Sequence, residues 1–350
     1  MRHSKILLWP LSLLYGLVVS TRNFFFDIGL LKSKSFKVPV ICVGNITVGG
    51  TGKTPHTELL IAELKKKFRV ACLSRGYKRK SSGFILATAN STVEQLGDEP
   101  FQIHSKFPDI LMACDGDRVR GINKLLTLEN PPEVIILDDA FQHRYVQADK
   151  NIVLIDYNHP VFEDTLLPAG RLRESINGLK RGDYLIVTKC PENLQPIEQR
   201  VLHKHLKIKP YQQLYFTRLQ YGKIHHLAGA IVPFKPESDA QILCVTGIAQ
   251  PTPYIKYLKT FTPYITELRY PDHHHFNTKD IQEIETLFSD MNSEKKYIFT
   301  TEKDAVRLQA CDLPQEVFSA CYYIPVVPVF LKDQELFLTE ISEYVRKNQA

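Results

Sequence analysis

No C-x-x-C pair occurs in the 350 residues, and the seven cysteines (Cys42, Cys72, Cys114, Cys190, Cys244, Cys311, Cys321) are odd in number and scattered, mostly inside apolar runs. This excludes a disulfide frame and a cysteine zinc site, and it fits small core residues in a reducing compartment. There is no repeat of fixed period and no low-complexity tract, so solenoid and disordered architectures are excluded too. The N-terminal apolar stretch, Ile6 to Ser20, is 15 residues long and interrupted by Pro10 and Gly16. A crossing helix needs about 20 apolar residues. No small-x-small cleavage site follows, which counts against a signal peptide. The remaining readings are an ordinary buried helix or an interfacial one, with Trp9, Tyr15, the basic start Met1-Arg2-His3-Ser4-Lys5 and Arg22 at headgroup depth. The interfacial reading is preferred.

The composition, 44% hydrophobic and 23% charged with a formal net charge of +6, is that of a globular chain long enough for two domains. A mild basic excess suits an anionic membrane surface or a phosphorylated substrate, and equally a solvated face. Charge alone selects no function.

The most informative stretch is Val38 to Thr54, VPVICVGNITVGGTGKT. A β-branched apolar run reads as a buried parallel strand, and it leads through a glycine-dense loop to Gly52-Lys53-Thr54 at the start of a helical pattern. Thr47, Gly49, Gly50, Thr51, Gly52, Lys53 and Thr54 are thereby candidates for a phosphate cradle. Glycines accept the backbone angles and close approach that converging N–H groups require, and the helix offers its positive end. Lys53 would reach the β- and γ-phosphates of a nucleotide and the Thr54 hydroxyl would bind Mg2+. The rule G-x-x-x-x-G-K-[ST] fails at one position, where Thr47 stands in place of glycine.

Further apolar runs at 70–73, 110–113, 134–137, 152–155 and 184–187 alternate with helical patterns such as 118–126. That alternation predicts an α/β fold, a P-loop NTPase-like doubly wound, mostly parallel sheet with its ligands at the C-terminal strand ends. Asp138 and Asp139 follow the run 134–137, the pattern of a strand-end carboxylate that serves Mg2+. A basic loop, Ser74 to Lys80 with Arg75 and Tyr77, suits an anionic substrate, although a solvated loop reads the same way. Asp98 and Glu99 stand at a helix start, as caps, or as a general base or metal carboxylate near the phosphates. Arg171, Arg173 and Glu174 lie in the loop LLPAGRLRE, where an arginine can stabilise a phosphoryl group in transfer.

A proline-bearing, aperiodic segment from Gly229 to Ala240 reads as a domain boundary. The expected division is an N-terminal membrane-associated helix at 1–30, a P-loop kinase domain at 31–228 and a smaller C-terminal α/β domain at 229–350. Within the last, His273-His274-His275 between strand and helix are catalytic or substrate-contacting candidates; adjacent residues diverge in direction and make a poor metal site. Thr300 to Asp304 again puts polar groups at a strand's end, where a capped helix start reads equally well.

Together the segments VGNITVGGTGKTP (43–55), SRGYKRK (74–80), GDEP (97–100), DDAFQH (138–143), LLPAGRLRE (166–174), DHHHF (272–276) and TEKDAVRL (301–308) resemble the tetraacyldisaccharide 4'-kinases, the lipid A 4'-kinase family, along nearly the whole chain. The family's own loop is N-x-T-V-G-G-T-G-K-T, which accounts for Thr47. The resemblance implies ATP-dependent phosphorylation of the 4'-hydroxyl of an acylated glucosamine disaccharide 1-phosphate at the cytoplasmic face of a bacterial inner membrane. It further implies ATP and Mg2+ at Lys53, Thr54, Asp138, Asp139 and Glu174. Asp98 would be the base paired with His273, with His274 and His275 as alternatives, Arg173 would lie near the phosphates, and Arg75 and Tyr77 would meet the substrate. No nucleic acid or protein partner is implied. The competing readings are a P-loop kinase or ligase on a soluble metabolite, and a membrane-docked nucleotide switch.

Overall fold

The computed structural model describes residues 2–349. The chain opens with α1 (Arg2–Asp27) and then runs β1 (Val40–Asn45), α2 (Lys53–Leu64), β2 (Val70–Ser74), β3 (Ile85–Leu86), α3 (Val93–Leu96), α4 (Asp98–Lys106), β4 (Leu111–Cys114) and α5 (Arg118–Leu126). Next come β5 (Val134–Asp138), β6 (Lys150–Asp156), β7 (Tyr184–Thr188), α6 (Pro196–Leu206), β8 (Gln213–Tyr221) and β9 (His225–His226). The remainder is β10 (Gln241–Thr246), α7 (Thr252–Leu258), β11 (Ile265–Arg269), α8 (Thr278–Ser289), β12 (Lys296–Thr301), α9 (Glu302–Leu308), α10 (Gln315–Ser319), β13 (Cys321–Ile324), β14 (Val326–Phe330) and α11 (Gln334–Lys347).

Nine strands form the larger sheet in the order β14-β8-β7-β6-β1-β5-β2-β4-β3, and only its edge strands, β14 and β3, run antiparallel. Strand β1 is buried throughout because both faces are covered. Val40 and Cys42 enter one apolar layer, with Ile122, Leu125 and Ile135; the alternate residues Ile41 and Val43 enter the other, with Leu60, Ile61 and Phe337. All seven cysteines are free thiols, and six of them are buried. A second sheet has the order β11-β10-β12-β13-β9 and is parallel except for β9.

The chain crosses between the sheets twice, after β8 and before β14, and the crossings lie side by side: the Gly222 N–H donates to the Pro325 carbonyl at 2.9 Å. β9 already belongs to the second sheet, ahead of the proline-bearing segment at 229–240. Residues 326–347, grouped by sequence with the second domain, pack on the first sheet. There Phe337 meets Tyr184, Tyr215 and Phe330 with ring centroids 5.0–5.3 Å apart. Local pattern cannot reveal this return, because a five-residue strand holding Pro328 is marked only by the partner it finds.

Helix α1 lies with its small and polar side inward. Ser12 accepts a hydrogen bond from the Ala169 N–H at 2.9 Å, and a Cβ on Gly16 would stand 2.6 Å from Leu166. Trp9, Leu13, Leu14, Leu17 and Val18 are each more than half exposed. Among the described residues no helix is long and apolar enough to cross a membrane. The basic start, Met1 to Lys5, lies outside the described side chains.

Phe337→Ala should lower unfolding free energy by about 3–5 kcal/mol, since it empties the aromatic cluster that fixes α11 to the larger sheet. Urea denaturation reads this, and a loss below about 1 kcal/mol would show that the return segment adds little.

Candidate active site

The glycine loop is held by its neighbours. The Asn45 side-chain amide, at the end of β1, donates to the Thr51 hydroxyl at 2.9 Å and to the Thr47 hydroxyl at 3.4 Å, and the Thr188 hydroxyl donates to the Thr51 carbonyl at 2.9 Å. Gly52 at φ 86° stands immediately before Lys53 and Thr54, the first residues of α2; only glycine takes that angle without strain. His56 Nδ1 donates to the Gly52 carbonyl at 2.7 Å while Nε2 accepts from Thr217 at 3.1 Å. Burial pushes its pKa down to about 4, so the ring clips the loop as a neutral group.

The LLPAGRLRE segment lies antiparallel along this loop. The Val48 N–H donates to the Arg171 carbonyl at 2.8 Å and the Arg173 N–H to the Ile46 carbonyl at 2.7 Å. That register turns Arg173 toward Asp139, 2.9 Å from Nη1, while Arg171 faces away to Asp164, also at 2.9 Å. Lys53 Nζ lies 3.6 Å from Asp139. Burial pulls the Asp139 pKa up, but Lys53 and Arg173 outweigh it and hold it below its ordinary value. Asp138, at the end of β5, accepts from the hydroxyls of Thr57 (3.1 Å) and Ser74 (3.3 Å); burial, with the Asp139 charge added, pushes it up to about 6.

Glu174, the further metal candidate of the sequence, is buried, accepts from Gln142 at 2.8 Å and Asn23 at 3.2 Å, and pairs with Arg181. With Tyr15, whose hydroxyl donates to the Arg173 carbonyl at 2.7 Å, Asn23 ties α1 to the segment that carries Arg173.

The second polar cluster joins the two sheets. Asp98 opens α4 behind Gly97 at φ 89°, where a Cβ would stand 2.8 Å from the Tyr77 carbonyl, so the 75–77 loop is pressed against Asp98's helix. Asp98 Oδ2 accepts from His273 Nδ1 at 2.9 Å and from Arg307 Nη2. His273 Nε2 is met by Lys303 at 3.2 Å, and Lys303 also pairs with Glu99 at 2.9 Å. Burial is the largest influence on Asp98 and acts upward, yet His273, Arg307 and Lys303 together hold its pKa well below the usual carboxylate range. Of the three histidines only His273, itself in a left-handed turn at φ 62°, reaches Asp98; His274 bonds Asp280 at 2.8 Å and stacks on Tyr270, and His275 is exposed. Tyr77 packs edge-on against His273 with centroids 5.9 Å apart, and Arg75 is exposed beside it in sequence.

Sequence reading did not assign Asn45, His56, Gln142 or Arg307. Asn45, Gln142 and Arg307 lie inside the motif segments 43–55, 138–143 and 301–308, and Arg307 also stands out as a charge in the otherwise apolar AVRL turn of α9.

A buried strand, a glycine loop capped by Lys-Thr and an aspartate at the adjacent strand's end define a P-loop nucleotide-dependent phosphotransferase. The family profile described as Tetraacyldisaccharide-1-P 4'-kinase matches residues 4–346, and the chain belongs to that family. The Tetraacyldisaccharide 4'-kinase of Phocaeicola vulgatus is 53% identical over 97% of this chain and 95% of its own length. That of Bacteroides thetaiotaomicron is 48% identical over 97% and 93%. Among solved structures, the apo-form LpxK from Aquifex aeolicus in complex with ATP superposes with a TM-score of 0.75 at 30% identity, covering 97% of this chain and 99% of that one.

One buried charge near the site makes a pH prediction. Lys106 is shared between Glu58 (2.6 Å) and Glu302 (2.9 Å), so one ammonium serves two carboxylates; burial first and Glu302 second push the Glu58 pKa up to about 7. A carboxyl raised on folding contributes stability at low pH that is lost as pH rises through the folded value. The urea midpoint of Glu58→Gln relative to the unaltered protein should therefore rise from pH 5 to pH 8; a difference that stays flat or falls would contradict the assignment.

Proposed function

We propose that this chain transfers the γ-phosphoryl group of ATP to the 4'-hydroxyl of a tetraacyldisaccharide 1-phosphate, giving the bisphosphorylated lipid A precursor. The observation that carries this reading is the meeting of Asp98 with His273 across the two sheets, in a chain whose loop, Lys53 and Arg173 form an anion cradle. Its relatives carry the kinase's name, and the related LpxK holds ATP.

In this reading the backbone N–H groups from Gly49 to Lys53, with Thr47 and Thr51 shaping the loop, bind the phosphates. Lys53 and Arg173 neutralise charge that spreads over the transferring group. Mg2+ fits the donor set: it keeps most of its shell as water and phosphate oxygens and needs one or two protein oxygens. Thr54 and Asp138 supply these, and Asp138's hydroxyl partners leave its carboxylate in place at the strand end. Bound there, Mg2+ would draw charge from the phosphoryl oxygens. Asp139 and Glu174 would stand beside that metal; Asp139 also keeps Lys53 and Arg173 aligned, and Glu174 positions Arg173's segment through Gln142 and Asn23.

Asp98 takes the proton of the acceptor hydroxyl as its oxygen attacks phosphorus, and His273 orients Asp98 and shares the proton. Arg75 and Tyr77, on the loop pressed against α4, are placed to meet the anionic disaccharide. The exposed apolar row of α1 supports docking on the membrane surface that holds the acyl chains, the cytoplasmic face of the bacterial inner membrane.

Labelled γ-phosphate should pass from ATP to the disaccharide acceptor, and Asp98→Ala should lower kcat about 10²- to 10⁴-fold. Transfer to soluble sugars alone, or full activity in Asp98→Ala, would refute the reading. Leu14→Glu with Leu17→Glu alters the outer face of α1 and leaves Tyr15 and Asn23 intact. This variant should lose co-sedimentation with anionic vesicles yet keep ATP affinity; unchanged sedimentation counts against the anchor.

A further inference from the structure

We infer that Arg307 is a positioning residue for proton transfer: braced in the second sheet by Asp304, it pins one oxygen of Asp98, leaves the other free for the acceptor hydroxyl, and sets the pH at which the pair operates. The inference rests on the reading of Asp98 as proton acceptor.

The geometry is that of a fork with one prong spent in each half of the molecule. Arg307 Nη1 donates to Asp304 Oδ1 at 2.8 Å and to the Gly247 carbonyl at 3.3 Å. Asp304 is fully buried, and its Oδ2 accepts from the Gly247 N–H at 2.9 Å and from the Thr301 hydroxyl at 2.7 Å. The brace is therefore fixed by its own sheet before it meets the other. Arg307 Nη2 then reaches Asp98 Oδ2, on the first helix of the other half's polar seam. His273 Nδ1 donates to the same Oδ2 at 2.9 Å. Among the described residues no donor reaches Oδ1, so both protein hydrogen bonds converge on one oxygen and the second is open.

That asymmetry has a chemical use. When the acceptor O–H bond breaks, its electron pair forms the new O–P bond, the bond from phosphorus to the β,γ-bridging oxygen breaks with its pair leaving on ADP, and the proton goes to Asp98 Oδ1. A carboxylate free to rotate would present either oxygen; a rigid guanidinium on Oδ2 removes that freedom. Arg307 also holds Asp98 ionised against the pull of burial. The other charged or titratable groups about the pair are Glu99 on α4, Tyr77 on the preceding loop, Asp272 beside His273, and Lys303 on α9; Lys303 and Glu99 pair with each other, leaving Arg307 as the cation in direct contact with Asp98.

The test is the pH dependence of kcat for phosphoryl transfer in Arg307→Met, Arg307→Gln and Arg307→Lys. Loss of the guanidinium charge should move the acid limb of kcat upward by about one pH unit or more in Met and Gln, with KM for ATP within about twofold, and Lys should stay nearer the unaltered profile. If Arg307→Met does not fold, Arg307→Gln, which retains a hydrogen-bond donor, decides the outcome alone. An acid limb that stays in place while kcat falls would mean that Arg307 only supports the fold. Asp98→Asn separates the two levels: if it keeps kcat, the base assignment fails and this inference with it. If it loses kcat while the Arg307 variants leave the limb unmoved, the inference on Arg307 alone fails.

Discussion

A run of charge pairs between α4 and α9 fixes how the two sheets meet, and the site depends on it. Asp98 pairs with Arg307, Glu99 with Lys303 and Lys106 with Glu302, each linking a residue of the first half to one of the second. Asp98 or Arg307 left without the other would be a buried unpaired charge, which is costly, and the two partly exposed pairs flank that contact. The placement that makes these pairs also delivers His273 to Asp98. The electrostatic seam thus ties the glycine loop's half of the molecule to the half that carries His273, as the proposed proton transfer requires.

The phosphate side follows a different rule. The loop is held by hydroxyls and amides of the first sheet's own strand ends, Asn45, Thr188 and, through His56, Thr217. Arg173 arrives on an extended segment laid along the loop, and that segment is steadied from outside by Glu174, Tyr15 and Asn23. Helix α1 therefore has two sides with two tasks. Its inward side supports the arginine, and its outer side is apolar and exposed, as the proposed docking on a lipid surface requires.

Local patterns made much of this legible. The buried strand, glycine loop and Lys-Thr helix start are contiguous, as are the 134–137 run and Asp138, and the structure places them as neighbouring parallel strands. Asp98 stands at a helix start as expected, as the first residue of α4 behind the cap Gly97 and making no capping hydrogen bond itself. What escaped was set by tertiary pairing. The return of β14 and α11 to the first sheet needs β8 and Tyr215 to be recognised. The resemblance put His273 ahead of His274 and His275, but only the turn that aims at α4 separates the three. That Arg181 and Gln142 hold Glu174 beside Arg173 is likewise set by segments outside its own loop. Arg307 is one basic residue among forty-four until its fork closes on two aspartates of different halves.

The central claim is that a base supplied by the first half and a histidine supplied by the second act as one unit. A double-mutant cycle on single-turnover phosphoryl transfer, using Asp98→Asn, His273→Ala and both together, measures that directly. The account predicts that the double variant is no slower than the slower single variant. Losses that multiply, or a His273→Ala variant as fast as the unaltered protein, would contradict it.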